Sequence, residues 1–125
     1  MTPRLLLLDD DAAIVSVVRR YFDGKGWDVE TCLEANEGLR LVDSEKQFDA
    51  VVCDLHFTPA RLSEGLRIIE RARLRRPRSA VLLFTGATEQ GVREDALRLG
   101  ADEVVTKPTP LASLHDAVLR AMKTP

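Results

Sequence analysis

Three short runs in this chain are apolar at every position: Leu5–Leu8, Ala50–Cys53 and Ala80–Phe84. A strand with one wet face alternates polar and apolar residues, so a strand with no polar position must be covered on both faces. Three such strands in 125 residues require a sheet sandwiched between layers of helix. The segments between them supply the helices. Ala12–Phe22 places Ile14, Val17, Val18 and Tyr21 at i, i+3, i+4 and i+7, which predicts a helix with those residues inward, stopped by Asp23-Gly24-Lys25-Gly26. Ala35–Glu45 carries Ala35, Leu39 and Val42 at helical spacing.

A polar loop is expected from Asp54 to Ser63, then a helix over Gly65–Arg75 with Leu66, Ile69 and Ala72 inward. Helices are also predicted over Thr88–Leu99 (Val92, Ala96 and Leu99 inward) and over Leu111–Met122 (Leu111, Leu114, Val118 and Met122 on one stripe). Two further strands are weaker. Trp27–Cys32 alternates Trp27, Val29 and Thr31 against Asp28, Glu30 and Cys32, and Glu103–Val105 is short. Both suit sheet edges. Five strands alternating with five helices predict an α/β fold, a doubly wound, flavodoxin-like parallel sheet in the order 2-1-3-4-5.

Such a sheet binds ligands at the carboxyl ends of its strands. Those ends carry Asp9-Asp10-Asp11, Asp54, Thr85-Gly86 and Thr106-Lys107-Pro108. Each has an ordinary explanation: a helix cap for the acids, an Asx turn for Asp54, a solvated charge for Lys107. A cap needs one acid rather than three, and all four features fall at one predicted site. Carboxylates about 5 Å apart repel by roughly 3 kcal/mol per pair at an effective dielectric near 20. They persist together when a cation joins them, and an all-oxygen ligand set suits Mg²⁺, which keeps room for a phosphate. A lysine and a hydroxyl can bind the remaining phosphate oxygens, and a carboxylate can itself accept a phosphoryl group.

Taken together, Leu-Leu-Leu-Leu-Asp9-Asp10-Asp11, Asp-Ala-Val-Val-Cys-Asp54-Leu, Val-Leu-Leu-Phe-Thr85-Gly-Ala and Gly-Ala-Asp-Glu-Val-Val-Thr-Lys107-Pro108 resemble the receiver domain of two-component response regulators, in order and over essentially the whole chain. The resemblance implies that Asp54 accepts a phosphoryl group from a sensor histidine kinase or phosphotransfer protein. It implies that Asp10 and Asp54 bind Mg²⁺ directly, with Asp9 acting largely through water and the backbone carbonyl of His56 as a further ligand. Thr85 and Lys107 would contact the phosphoryl group, and the Lys107–Pro108 bond would be cis. Thr85 and Val104 would form the switch. Output would pass through the face of the fourth helix, fifth strand and fifth helix, to a downstream partner, a fused output domain or a homodimer. The chain is expected to be one receiver domain over residues 1–125, a signalling domain that catalyses only its own phosphotransfer and dephosphorylation. Three features depart from the family pattern. The loop between Asp54 and Gly65 is about three residues longer, Val104 stands where an aromatic is common, and Thr109 stands where Phe is common.

Other functions fit these residues less well. Asp9-x-Asp11 fits the start of a haloacid-dehalogenase-like phosphohydrolase motif. Ala13, however, sits where Thr or Val is needed, only Asp116 remains after the lysine, and Asp54 has no role. A non-phosphorylated scaffold of the same fold should have lost an acceptor, acid or lysine, and none is lost. The basic run Arg71-Ala-Arg-Leu-Arg-Arg-Pro-Arg78 is expected to be a solvated helix end rather than a nucleic-acid contact, and 18 Lys and Arg against 20 Asp and Glu give no general attraction to nucleic acid or membrane. No apolar run reaches membrane-spanning length. Cys32 and Cys53 are read as reduced core thiols of a cytoplasmic protein. His115 is expected to be exposed, while His56 is placed where its side chain could reach a phosphoryl group or simply lie exposed in the loop.

Overall fold

The covered strands form the centre of the sheet. In the computed structural model, which describes residues 2–54, 59–86 and 90–122 (59–62 and 90 by backbone only), the strands are β1 (Arg4–Asp9), β2 (Asp28–Cys32), β3 (Ala50–Asp54), β4 (Ala80–Thr85) and β5 (Glu103–Thr106). The helices are α1 (Ala12–Gly24), α2 (Ala35–Asp43), α3 (Pro59–Arg75), α4 (Gln90–Leu99) and α5 (Leu111–Met122). The strands are parallel in the order β2-β1-β3-β4-β5, as the sequence predicts. Side chains alternate across the sheet, so one run of leucines feeds two cores. Leu5 and Leu7 pack with Phe22, Val52, Leu82 and Val118 under α1 and α5. Leu6 and Leu8 pack with Val51, Ile68 and Val81 on the side of α2 and α3. Each fully buried Leu contributes about 1.5–3 kcal/mol. α2 lies close to the sheet because Gly38 has no side chain: a Cβ there would sit 3.3 Å from Ile68 Cδ1 and 3.5 Å from both Cys32 Sγ and Leu8 Cδ2.

Several faces differ from expectation. α1 buries Val15, Val18 and Phe22, leaving Ile14 and Tyr21 partly covered and Val17 58% exposed. Both stripes have helical spacing, and Phe22 decides between them because it is the largest fully buried side chain. In α5 the buried stripe is Leu114, Ala117, Val118 and Ala121, with Met122 exposed. β2 does not keep its alternation. Trp27 is buried just before the strand, and it is Cys32 rather than Thr31 that is buried, beside Gly38. α3 starts at Pro59, inside the expected loop, with proline suited to a first helical turn. Its buried residues include Gly65 and Ile68, with Leu66 only partly covered.

His115 is not an exposed residue. Its Nε2 accepts a hydrogen bond from Trp27 Nε1 at 3.1 Å, and its ring meets Tyr21, Phe22 and Trp27 edge-on. This cluster ties α5 to α1 at the end of the sheet away from the strand carboxyl termini. The basic run is a solvated helix end, as expected, whose arginines also pair with acids of the same chain: Arg71 and Arg75 with Asp43, Arg76 with Asp49, and the more covered Arg73 with Asp102. No described helix is long and apolar enough to cross a membrane.

The rotation of α1 sets a simple test. Val15→Ala should cost about 1–3 kcal/mol in urea unfolding, and Val17→Ala less than about 0.5 kcal/mol. The reverse ranking would mean that the helix packs through the Val17 face.

Candidate functional site

Parallel pairing puts two carboxylates side by side. Asp9 and Asp54 are register partners at the ends of β1 and β3, on strands about 4.8 Å apart. Both are buried, Asp9 to 1% exposure and Asp54 to 5%. The next residues turn into α1. Asp11 is the cap of that helix, its Oδ1 accepting from Ala13 N at 2.9 Å and Ile14 N at 3.4 Å. The third acid of the triplet is therefore explained by local structure. Asp10, between them, is half-buried. Asp9 Oδ1 accepts the Asp11 amide at 2.9 Å, but its buried Oδ2 has no hydrogen-bond donor.

The lysine arrives from the far edge of the sheet. Residue Thr106 of β5 pairs with Thr85 of β4, and the Lys107 amide then donates to the Thr85 carbonyl at 2.9 Å. The Lys107–Pro108 peptide is cis, as the resemblance implies. Lys107 Nζ donates to Asp54 Oδ2 and stands 3.6 Å from Asp9 Oδ2. It also lies 4.9 Å above the ring of Phe84, a contact that contributes electrostatically and holds the ammonium against an apolar wall. Phe84 was missed by reasoning on strand-end residues alone, because it looks like one more core position of β4. Thr85 is buried at the end of β4, and Val104 is half-buried against the core on the α3–α4 side. The structure thus brings Asp9, Asp54, Thr85 and Lys107 to one end of the sheet. His56 lies outside the described residues.

One ammonium between two buried carboxylates leaves the site short of positive charge. Burial pushes the Asp54 carboxyl up to about 7 from an ordinary 3.8; neighbouring Asp9 adds to the rise and Lys107 opposes it. A cation bound by oxygen ligands fits this donor set, since Asp9 Oδ2 is a buried carboxyl oxygen with no hydrogen-bond donor. Among the described residues no three acid, histidine or cysteine side chains converge as a complete metal cage. A divalent ion here would take its remaining ligands from water, backbone or phosphate, as small hard cations commonly do.

The raised value means that the folded state favours the protonated carboxyl. Asp54 is thus compatible with the fold below about 3.8 and destabilises it progressively as pH rises toward about 7. Asp54→Asn removes this dependence. In EDTA, the variant should gain on wild type by about 1–3 kcal/mol in urea unfolding between about pH 5 and about pH 8. A difference that stays constant over that range would show that the Asp54 carboxyl is not strained by its burial.

Comparison with known proteins identifies the family and the fold. A family model described as the response regulator receiver domain covers residues 5–119. The chain is 28% identical over 108 residues to the alkaline phosphatase synthesis transcriptional regulatory protein PhoP of Bacillus subtilis, covering 86% of this chain and 43% of that protein. It spans about half the length of the curated relatives it matches. Its fold is similar to a CheY-like receiver domain protein from Methanospirillum hungatei, with a TM-score of 0.87 at 24% identity, covering 98% of this chain and 94% of that one. It is also similar to a response regulator from Burkholderia pseudomallei solved with a phosphorylated aspartic acid, a calcium ion and citrate, with a TM-score of 0.83 at 24% identity, covering 93% of this chain and 66% of that one.

Proposed function

Because the chain belongs to the response regulator receiver domain family, we propose that Asp54 is its phospho-acceptor and that the site catalyses its own phosphorylation. The observation that carries the proposal is the convergence of Asp54, Asp9 and Lys107 at adjacent strand ends. An Asp54 carboxylate oxygen attacks phosphorus in a donor phosphohistidine. The new O–P bond forms as the P–N bond breaks, and the imidazole leaves with the electron pair and takes up a proton. The phosphorus is transferred through a loose, anionic arrangement, so most of the catalysis is positioning and charge neutralisation. Lys107, already hydrogen-bonded to the acceptor oxygen, moves its charge onto the phosphoryl oxygens. Thr85, at the end of β4, would hydrogen-bond them.

Mg²⁺ is the proposed cation, held by Asp10 and Asp54 with Asp9 behind them and the His56 carbonyl as a further ligand. It would supply neutralisation of the phosphoryl charge. The calcium ion and phosphorylated aspartate named for the Burkholderia protein support a divalent ion and an aspartyl phosphate in this fold. The chain acts as a cytoplasmic signalling domain that receives its phosphoryl group from a sensor histidine kinase or phosphotransfer protein. Once Asp54 is phosphorylated, Thr85 and Val104 switch the face of α4, β5 and α5 toward an output partner, a further domain or a second copy. The half-buried Val104 gives this switch a smaller lever than an aromatic ring. Direct nucleic-acid binding is disfavoured, since Arg71, Arg73, Arg75 and Arg76 are held by acids of the same chain.

Incubation with acetyl phosphate and Mg²⁺ followed by intact mass should show a single phosphoryl addition, lost with EDTA and lost in Asp54→Asn. Mg²⁺ should also stabilise wild type by about 2.7 kcal/mol at a hundredfold excess over its dissociation constant, and stabilise the Asn variant less. Labelling of Asp54→Asn at the wild-type rate, or steady turnover of a phosphomonoester, would overturn the assignment.

A further inference from the structure

Arg73 makes more contacts between separate segments than any single surface charge needs. From the end of α3 its Nε donates to the Gly100 carbonyl at 2.9 Å and its Nη1 to the carbonyls of Pro77 at 2.6 Å and Ser79 at 2.9 Å. Its Nη2 donates to Asp102 Oδ2 at 2.7 Å. The same Asp102 oxygen accepts the Val81 amide at 2.8 Å, while the Asp102 amide donates to the Val81 carbonyl at 2.7 Å. The arginine stem fills the space beside Gly100. That residue has φ +122°, and a Cβ there would fall 2.8 Å from Arg73 Cβ and Cγ. One side chain therefore joins α3, the approach to β4, the end of α4 and the residue just before β5.

β5 needs such an anchor. It has four residues, half-buried or exposed, and it pairs with β4 alone. Its inward side chains, Val104 and Val105, are small and only partly covered, so packing grips the strand weakly. Register matters here because a slip of one residue moves every side chain to the opposite face and shifts the strand by about 3.3 Å. Lys107 follows β5 directly, and its reach to Asp54 and Asp9 depends on that register. We propose that Arg73 is a positioning residue for the phosphoryl site: its clamp on Asp102 sets the register of β5 and so delivers Lys107 to the acceptor. The proposal rests on the role assigned to Lys107 under the proposed function.

A double-mutant cycle separates positioning from general support. Arg73→Gln, Lys107→Ala and the double variant are compared with wild type for the initial rate of phosphorylation by acetyl phosphate with Mg²⁺. Urea unfolding reports the folded fraction of each. The clamp predicts that Arg73→Gln slows the reaction about tenfold or more when Lys107 is present, and less than about twofold in the Lys107→Ala background. Mg²⁺ affinity, set by acids at the ends of β1 and β3, should stay within about twofold of wild type. Arg73→Lys should recover part of the rate by restoring the charge. Equal slowing in both backgrounds, or no slowing, overturns the positioning role. If Lys107→Ala itself reacts as fast as wild type, the reading of the site fails first and the clamp's purpose fails with it. Should Arg73→Gln not fold, Asp102→Asn, which keeps an acceptor for the Val81 amide, is taken through the same cycle with the same expected outcomes.

Discussion

The charge of Lys107 between Asp9 and Asp54 is the interaction on which the site depends. Two carboxylates at paired positions of a parallel sheet cannot both be buried and ionised without a counter-charge. The lysine supplies one positive charge from the opposite edge of the sheet. The remaining deficit leaves Asp54 hard to ionise and gives the pocket an affinity for further cations. Burial, which makes the acid pair unfavourable, also strengthens whatever positive charge enters. The fold maintains this tension because the acids sit on central strands held by hydrophobic packing on both faces.

Much of this was legible in the sequence. Strands covered on both faces leave little choice of architecture, and the ends of Leu5–Leu8, Ala50–Cys53 and Ala80–Phe84 pointed to residues that do meet. What was not legible were rotations and long-range side-chain contacts. Ile14 and Val17 against Val15 and Phe22 is a choice between two valid helical stripes, settled by the deep pocket that Phe22 fills. Cys32 is buried where alternation favours Thr31, because Gly38 lets α2 approach that end of β2. His115 gave no sign that Trp27, 88 positions earlier in the chain, would donate to it. Arg73 looked like its neighbours in a basic run, and only the folded chain shows that Asp102 lies within its reach.

The two ends of the sheet have different organisation. At the carboxyl ends of the strands, polar groups are buried with incomplete compensation, and Asp9 Oδ2 lacks a donor. At the opposite end, arginines satisfy carbonyls and carboxylates of helix and strand termini: Arg75 donates to the Asp43 carbonyl at 2.9 Å, and Arg76 Nη2 to Asp49 Oδ1 at 3.3 Å. Among the described residues, the buried oxygen without a partner lies at the carboxyl end, and the arginine pairings lie at the other. This division lets a charge change at one end bias nearby segments while the rest of the sheet keeps its register.

The position of Trp27 gives this division a practical meaning. It is the sole tryptophan, it is 5% exposed, and its indole N–H is held by His115 on α5. Its ring meets Phe22 of α1 and His115 of α5 edge-on, at the end of the sheet opposite Asp54. An indole in that place gives the protein a native optical label on the packing of α1 against α5, set apart from the acidic end of the sheet.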